Sequence, residues 1–378
     1  MSAAGGPGRP GATAGPAPAG PAPGGPALAG PAGGGSAGGR PGPVVLLAPD
    51  SFKGTLSAAT VAAALAAGVR AAGGVPLVCP VADGGEGTAE VLADALGGRR
   101  PVLSVTGPLG APVPGWFLLT DDGTAVLDTA TASGLQLVPP AERDAYRAST
   151  IGTGELVAAA VAAGATRVLL GVGGSATTDG GAGALAALPA GLGRATLTVL
   201  CDVRTPYEDA AVVFAPQKGA DAGTVRRLTA RLHRLAAELP RDPRGRPFTG
   251  AAGGLAGGLW AAHDARLVSG IDAVLDLVGF DARAAGADVV ITGEGRLDGQ
   301  TREGKAVAGV TRRAAALGVP AWAVVGQSTV DGATTGALGL AGVLEAGTGA
   351  DLRAAAAEIT RRVAANGTAT AHPRRSTP

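Results

Sequence analysis

Residues 44–57 read VVLLAPDSFKGTLS, and an Ala-rich run over 58–72 follows directly. The opening six residues are apolar throughout, the pattern of a short strand buried on both faces. A polar loop containing Gly54 separates them from a run of helix formers. The same phrase recurs along the chain. PLVCPV (76–81) leads through ADGGEG to a helix ending near Leu96, and RVLLGV (167–172) leads to GGSATTDGG and another helix. TLTVLCD (196–202) leads to VRTPYED, and ADVVITG (287–293) leads to EGRLDGQTREGK and a helix to about Leu317. PAWAVVG (320–326) and AGVLEAG (341–347) are further strands, with a helix after Asp351. Strand, Gly-rich loop and helix in alternation predict an α/β fold with a mainly parallel sheet. Residues 113–128 break the rhythm. WFLLT, the turn DDG and TAVLD read as a β-hairpin, which predicts a separate mixed sheet in the middle of the chain.

The chain has 378 residues, enough for about two domains. Its net charge is +1 and only 16% of residues are charged, which argues against a nucleic-acid or membrane-surface protein. Aromatics at 3% leave little to stack on bases. Residues 1–43 are almost entirely Gly, Pro and Ala, and we expect a disordered tail rather than a signal peptide. The segment from Asn366 onward reads the same way. No stretch of about 18 apolar residues suggests a membrane span. Cys79 and Cys201 sit in apolar runs, so buried free thiols and a cytoplasmic setting are expected.

In open parallel sheets ligands sit beyond the carboxyl ends of the strands, where the polar loops lie. Of 31 Lys and Arg residues only three are Lys: Lys53, Lys218 and Lys305. Each has a Gly neighbour (FKG, QKG, GKA), and a compact ammonium beside a Gly loop is suited to phosphate oxygens. Carboxylates share the placement: Asp50, Asp83, Glu86, Asp179, Asp202, Glu294 and Asp298. Acids near phosphates suggest Mg²⁺, and one of them can serve as general base. Structural roles compete: Asp50 as a helix cap, Asp83 and Asp179 as turn residues, Asp202 paired with Arg204, and Glu294 braced against Arg296. GVGGSATTDGGAG (171–183) is an anion cradle without the GKS or GKT ending of a Walker loop. His233, His263 and His372 are too few and ill-placed for a Ser–His or His–metal mechanism. Chemistry built from acids, lysine and backbone dipoles points to phosphoryl transfer.

APDSFKGTLSA, CPVADGGEGT, TGPLG, SGLQLVP, STIGTGEL, GVGGSATTDGGAG, FAPQKGA, AAGGLAGGL and ITGEGRLDGQT stand in this order over nearly all of residues 44–365. Together they resemble the bacterial glycerate kinase family. The resemblance implies ATP-dependent phosphorylation of D-glycerate, Mg²⁺, a cytoplasmic enzyme and usually the 2-phosphate as product. It also implies a Rossmann- or flavodoxin-like domain over 44–90 and 284–365, with a second α/β domain over 91–283 inserted into it and the site between them. On this basis Lys53 is expected at the nucleotide phosphates or the substrate carboxylate. Asp50, Ser51, Asp83, Gly84, Gly85 and Glu86 are expected to line the binding site. Gly173, Gly174 and Ser175 are expected to form the anion cradle, Glu294 and Asp298 to hold Mg²⁺, and Asp179 or Asp202 to orient or deprotonate the hydroxyl. Arg296 would steady the transferring phosphoryl group, with Lys218 and Lys305 in reserve for phosphate. These groups are expected to meet in a single pocket.

Two stretches depart from the family pattern. Only PAGLGRA (189–195) joins GGAGALAAL to TLTVLCD, where relatives carry a longer connection, and Arg204–Tyr207 stand where the family has an Asn-Pro-Leu-like run. The alternative to an active kinase is a relative that binds nucleotide or a small acid and regulates.

Overall fold

The computed structural model describes residues 42–298 and 305–369. The Gly/Pro/Ala segment through residue 41, residues 299–304 of the loop after Asp298, and the final segment with His372 lie outside the described residues. In chain order the first strands are β1 (Val44–Pro49), β2 (Val75–Val78), β3 (Val102–Thr106), β4 (Pro112–Trp116), β5 (Leu118–Leu119), β6 (Thr124–Asp128) and β7 (Arg167–Gly171). They are followed by β8 (Thr196–Cys201), β9 (Arg266–Ser269), β10 (Val289–Gly293), β11 (Arg296–Leu297), β12 (Ala321–Val325), β13 (Gln327–Ser328) and β14 (Leu340–Glu345).

Two five-stranded sheets result. The first is wholly parallel, ordered β14-β12-β10-β1-β2. Counting only its own strands, that is the 2-1-3-4-5 order of a flavodoxin-like sheet, whose ligand crevice opens where the order reverses, between β1 and β10. The second is ordered β5-β6-β7-β8-β9, with β5 antiparallel to β6 and the other pairs parallel. The fold is therefore α/β with one parallel and one mixed sheet, as the alternation predicted. The expected hairpin is β5–β6, with Leu118 opposite Val126. Residues 113–116, read as its beginning, instead belong to a second hairpin in which β4 pairs with β3.

The buried strands read as continuous apolar runs because helices cover both faces: every residue of β10 is buried, as is all of β1 beyond Val44. Helix Ala58–Ala71 starts at Ser57, whose side chain accepts the Thr60 amide at 3.2 Å. Ser57, not Asp50, is thus the cap. The helix turns Val61, Leu65 and Val69 inward against Leu352, Ala356 and Ile359 of helix Gly349–Ala369. That last helix continues past Asn366, where the sequence was read as tail. Leu46 and Val290 of the first sheet share one apolar cluster with Val126, Leu169 and Leu200 of the second, joined through Leu92 and Ile271 of intervening helices. Cys79 and Cys201 are free and buried. No helix among the described residues is long and apolar enough to cross a membrane.

Candidate active site

The carboxyl ends of β1 and β10 set the floor of the site. Asp50 leaves β1 with its amide bonded to Gly293 O at 2.9 Å, and its carboxylate accepts the Ser51 amide at 2.6 Å. The chain then makes a tight turn, with Phe52 and Leu56 exchanging backbone hydrogen bonds of 2.8 and 3.0 Å. Phe52 is buried, and the turn lifts Lys53 to half-exposure above the site. The Lys53 ammonium meets Asp83 Oδ2 at 3.2 Å. Asp83 Oδ1 also accepts the Gly85 amide at 3.0 Å, so Asp83 both shapes its Gly loop and anchors Lys53. Burial works against its charge, but Lys53, the Gly85 amide and Lys305 outweigh burial and hold it below the usual carboxylate range. Lys53 is correspondingly pushed up, chiefly by Asp83.

A hollow of about 450 Å³ opens beside this turn, lined by Asp50, Lys53, Glu294, Arg296, Asp298 and Lys305. Glu294 is buried at the end of β10, and Asp298 lies 3.6 Å from Arg296 Nε and 4.0 Å from Lys305 Nζ. Burial, reinforced by Asp83 and Glu294, pushes the Asp50 carboxyl up to about 8 against the pull of Lys53 and Ser51. Crowded acids that repel a further negative charge form a donor set suited to a cation. Among the described residues no three His, Cys, Asp or Glu side chains could hold a metal ion by themselves. Mg²⁺ takes one or two carboxylates and completes its shell with phosphate oxygens and water, so Glu294 and Asp298 fit that ion. Ser51 and Glu86 line a second hollow of about 450 Å³ on the other flank of the turn.

The loops of the second sheet supply the other half. Gly173, Gly174, Ser175, Asp202 and Lys218 line a hollow of about 220 Å³ beyond the ends of β7 and β8. The expected residues thus line separate hollows, and the Asp83–Gly85 loop connects two of their linings, holding Lys53 through Asp83 and meeting Gly173 through Gly84. The Gly173 amide donates to Gly84 O at 3.2 Å. A Cβ on Gly173 would stand 2.5 Å from Gly85 Cα, and one on Gly84 would stand 2.7 Å from Leu200 O, so both positions need glycine for close approach. Because Gly173 spends its amide on Gly84, it adds no donor to the expected anion cradle. The Gly174 and Ser175 amides donate to no other described residue. Burial first, and Asp83 next, raise Asp202 to about 6, opposed by Lys53 and Lys305. Asp202 does not pair with Arg204, whose guanidinium lies 5.1 Å over the Phe248 ring.

Asp179 belongs to the scaffold. Its Oδ2 accepts the Thr150 amide and hydroxyl, both at 2.8 Å, and the Gly183 amide at 3.1 Å, while Oδ1 accepts the Gly181 amide at 3.2 Å. A carboxylate so engaged ties two loops together and has little left for a hydroxyl proton. Asp128 is a further buried acid that the sequence motifs do not single out. Sitting at the end of β6, it accepts the Gly87 and Ala89 amides at 3.1 Å and so caps helix Thr88–Leu96 from another segment. Burial pushes its carboxyl well above the ordinary range. The signal was present, since TAVLD ends in an acid as TLTVLCD does.

The profile of the glycerate kinase family matches residues 45–195 and 188–372, and the two matches overlap on the short connection before β8. The glycerate kinase of Halalkalibacterium halodurans is 40% identical over 325 residues, covering 75% of this chain and 85% of the relative. The glycerate 2-kinase of Escherichia coli is 37% identical over 327 residues, covering 76% and 86%. A crystal structure from Salmonella typhimurium LT2, assigned as glycerate kinase 2, superposes with a TM-score of 0.73 at 34% identity, covering 86% of this chain and all of the other.

Proposed function

The chain belongs to the glycerate kinase family, and from that premise we propose that it transfers the terminal phosphoryl group of ATP to the 2-hydroxyl of D-glycerate. The observation that carries the proposal is convergence. Acids and amines from four distant segments line two hollows, and the Asp83–Gly85 loop bonds to both linings, to Lys53 through Asp83 and to Gly173 through Gly84. The 2-hydroxyl follows the named activity of the Escherichia coli relative.

In this reading the triphosphate lies in the hollow of Lys53, Arg296 and Lys305, three cations that match the charge of its oxygens. Glu294 and Asp298 would hold Mg²⁺, which when bound offsets phosphate charge during transfer. Lys53, fixed by Asp83, faces the terminal phosphate. Asp202 is the base: raised to about 6, it is ionised at neutral pH yet basic enough to accept a hydroxyl proton. The hydroxyl oxygen bonds to phosphorus as the bond to ADP breaks, and the proton passes to Asp202. Residues 44–90 with 284–365 form one domain and 91–283 the other, in a cytoplasmic enzyme.

The test is ADP release from ATP with D-glycerate, with and without Mg²⁺, and phosphorus NMR of the product. The expected result is Mg²⁺-dependent turnover to the 2-phosphate. No turnover would leave the regulatory alternative standing, and a 3-phosphate product would overturn the assignment of the hydroxyl.

A further inference from the structure

Lys218 stands at the end of the single turn Pro216–Lys218 and is 3% exposed. Its ammonium donates to Ser175 Oγ at 3.0 Å and to Thr177 O at 2.6 Å, both neutral acceptors. No carboxylate lies within ion-pair distance of it among the described residues. The acids that act on it from further away are Asp179, already saturated by Thr150, Gly181 and Gly183, and Asp202 across the hollow. The nearby cation is Arg143, whose Nη1 donates to Gln217 O at 3.5 Å. A buried ammonium without a counter-ion is costly, and proteins keep one mainly where a ligand supplies the missing charge. Lysine has three donors and two are engaged. Ser175 Oγ accepts from Lys218, so its own proton is available. Both residues line the hollow of about 220 Å³, together with Asp202 and the Gly174 loop.

We propose that this hollow seats the carboxylate of the acceptor, with Lys218 as its counter-ion and Ser175 as its second donor, and that this pair selects short hydroxy acids over neutral polyols. The inference rests on the kinase reading and adds to it the seat of the acceptor's carboxylate and the residues that select for it. Asp202 shares the hollow, so a hydroxyl adjacent to a carboxylate held there comes within reach of the base. A carboxylate and a phosphate have the same appeal to a lysine, and the experiment must separate them.

Steady-state kinetics of Lys218→Met, with D-glycerate and ATP varied independently and glycerol as an uncharged acceptor, does so. The expected result is a rise of about thirtyfold or more in KM for glycerate, with KM for ATP within about threefold of wild type and a reduced preference for glycerate over glycerol. Ser175→Ala should move in the same direction by a smaller factor. A rise confined to the KM for ATP would make Lys218 a phosphate contact and overturn the inference, as would an unchanged KM for glycerate. A crystal of the wild-type protein with D-glycerate needs no variant: a carboxylate bonded to Lys218 Nζ upholds the inference, and one seated elsewhere refutes it. Absent wild-type turnover would fault the kinase reading instead, while the crystal would still report on the seat.

Discussion

Replacing Lys218 by Met tests the energetic premise of that seat without any substrate. Burial lowers the lysine from its ordinary 10.5 to about 8, with Asp179 and Asp202 only partly opposing. Such a fall corresponds to about 3 kcal/mol of linked stability. Its sign follows from counting protons. Below about pH 8 the amine is charged in both folded and unfolded chains, and the folded protein carries the whole cost. Between about pH 8 and 10.5 the folded state sheds the proton while the unfolded state keeps it, so wild-type stability rises with pH; above that range the cost is gone. The Met variant lacks this dependence. Other titrating groups cancel when the two proteins are subtracted, so wild type should gain on Lys218→Met by about 3 kcal/mol between about pH 7 and pH 10.5. Urea unfolding followed by circular dichroism at intervals across that range supplies the curve. A flat difference would mean that the ammonium is solvated or paired, and the argument for a missing counter-ion would be lost.

Lys53→Ala should lower kcat/KM by well over about tenfold, because a cation lining the hollow of Arg296 and Lys305 is removed and Asp83 is left buried without it; an unchanged value takes Lys53 out of the site. Asp202→Asn should reduce kcat by about 10²- to 10⁴-fold. In the wild type, kcat/KM should fall as pH drops below about 6, where Asp202 takes up its proton; a pH profile without that limb would refute its role as base. Asp179→Ala should cost at least about 3 kcal/mol in urea unfolding, since it strips acceptors from amides at Thr150, Gly181 and Gly183. Full stability with lost activity would instead return Asp179 to the chemistry.

Much of the fold was legible because parallel strands covered on both faces must be apolar along their whole length, and VVLLAP and VVITG are. Pairing was harder to read. β1 lies between β2 and β10, and nothing local to Val44–Pro49 announces a partner near the far end of the chain. The β3–β4 hairpin was hidden by Pro112, Pro114 and Gly115, which carry weak strand preference. In the site, loop chemistry located the right segments without sorting their duties. Asp179 and Asp202 look alike in sequence, since each is an acid in a loop beyond a strand. Only their hydrogen bonds separate them, as Asp179 is engaged four times and Asp202 keeps its reach into the hollow. Gly173 was read as a donor because glycine exposes its amide; the opposing Gly84 carbonyl claims it.

That hydrogen bond, at a spacing too narrow for any methyl group, ties the loop after β2 to the loop after β7. Neither half can be exchanged alone. An engineer seeking a new acceptor preference by transplanting the 173–181 turn from a cousin would have to import the matching 83–87 turn as well, and the two must be treated as one inherited part.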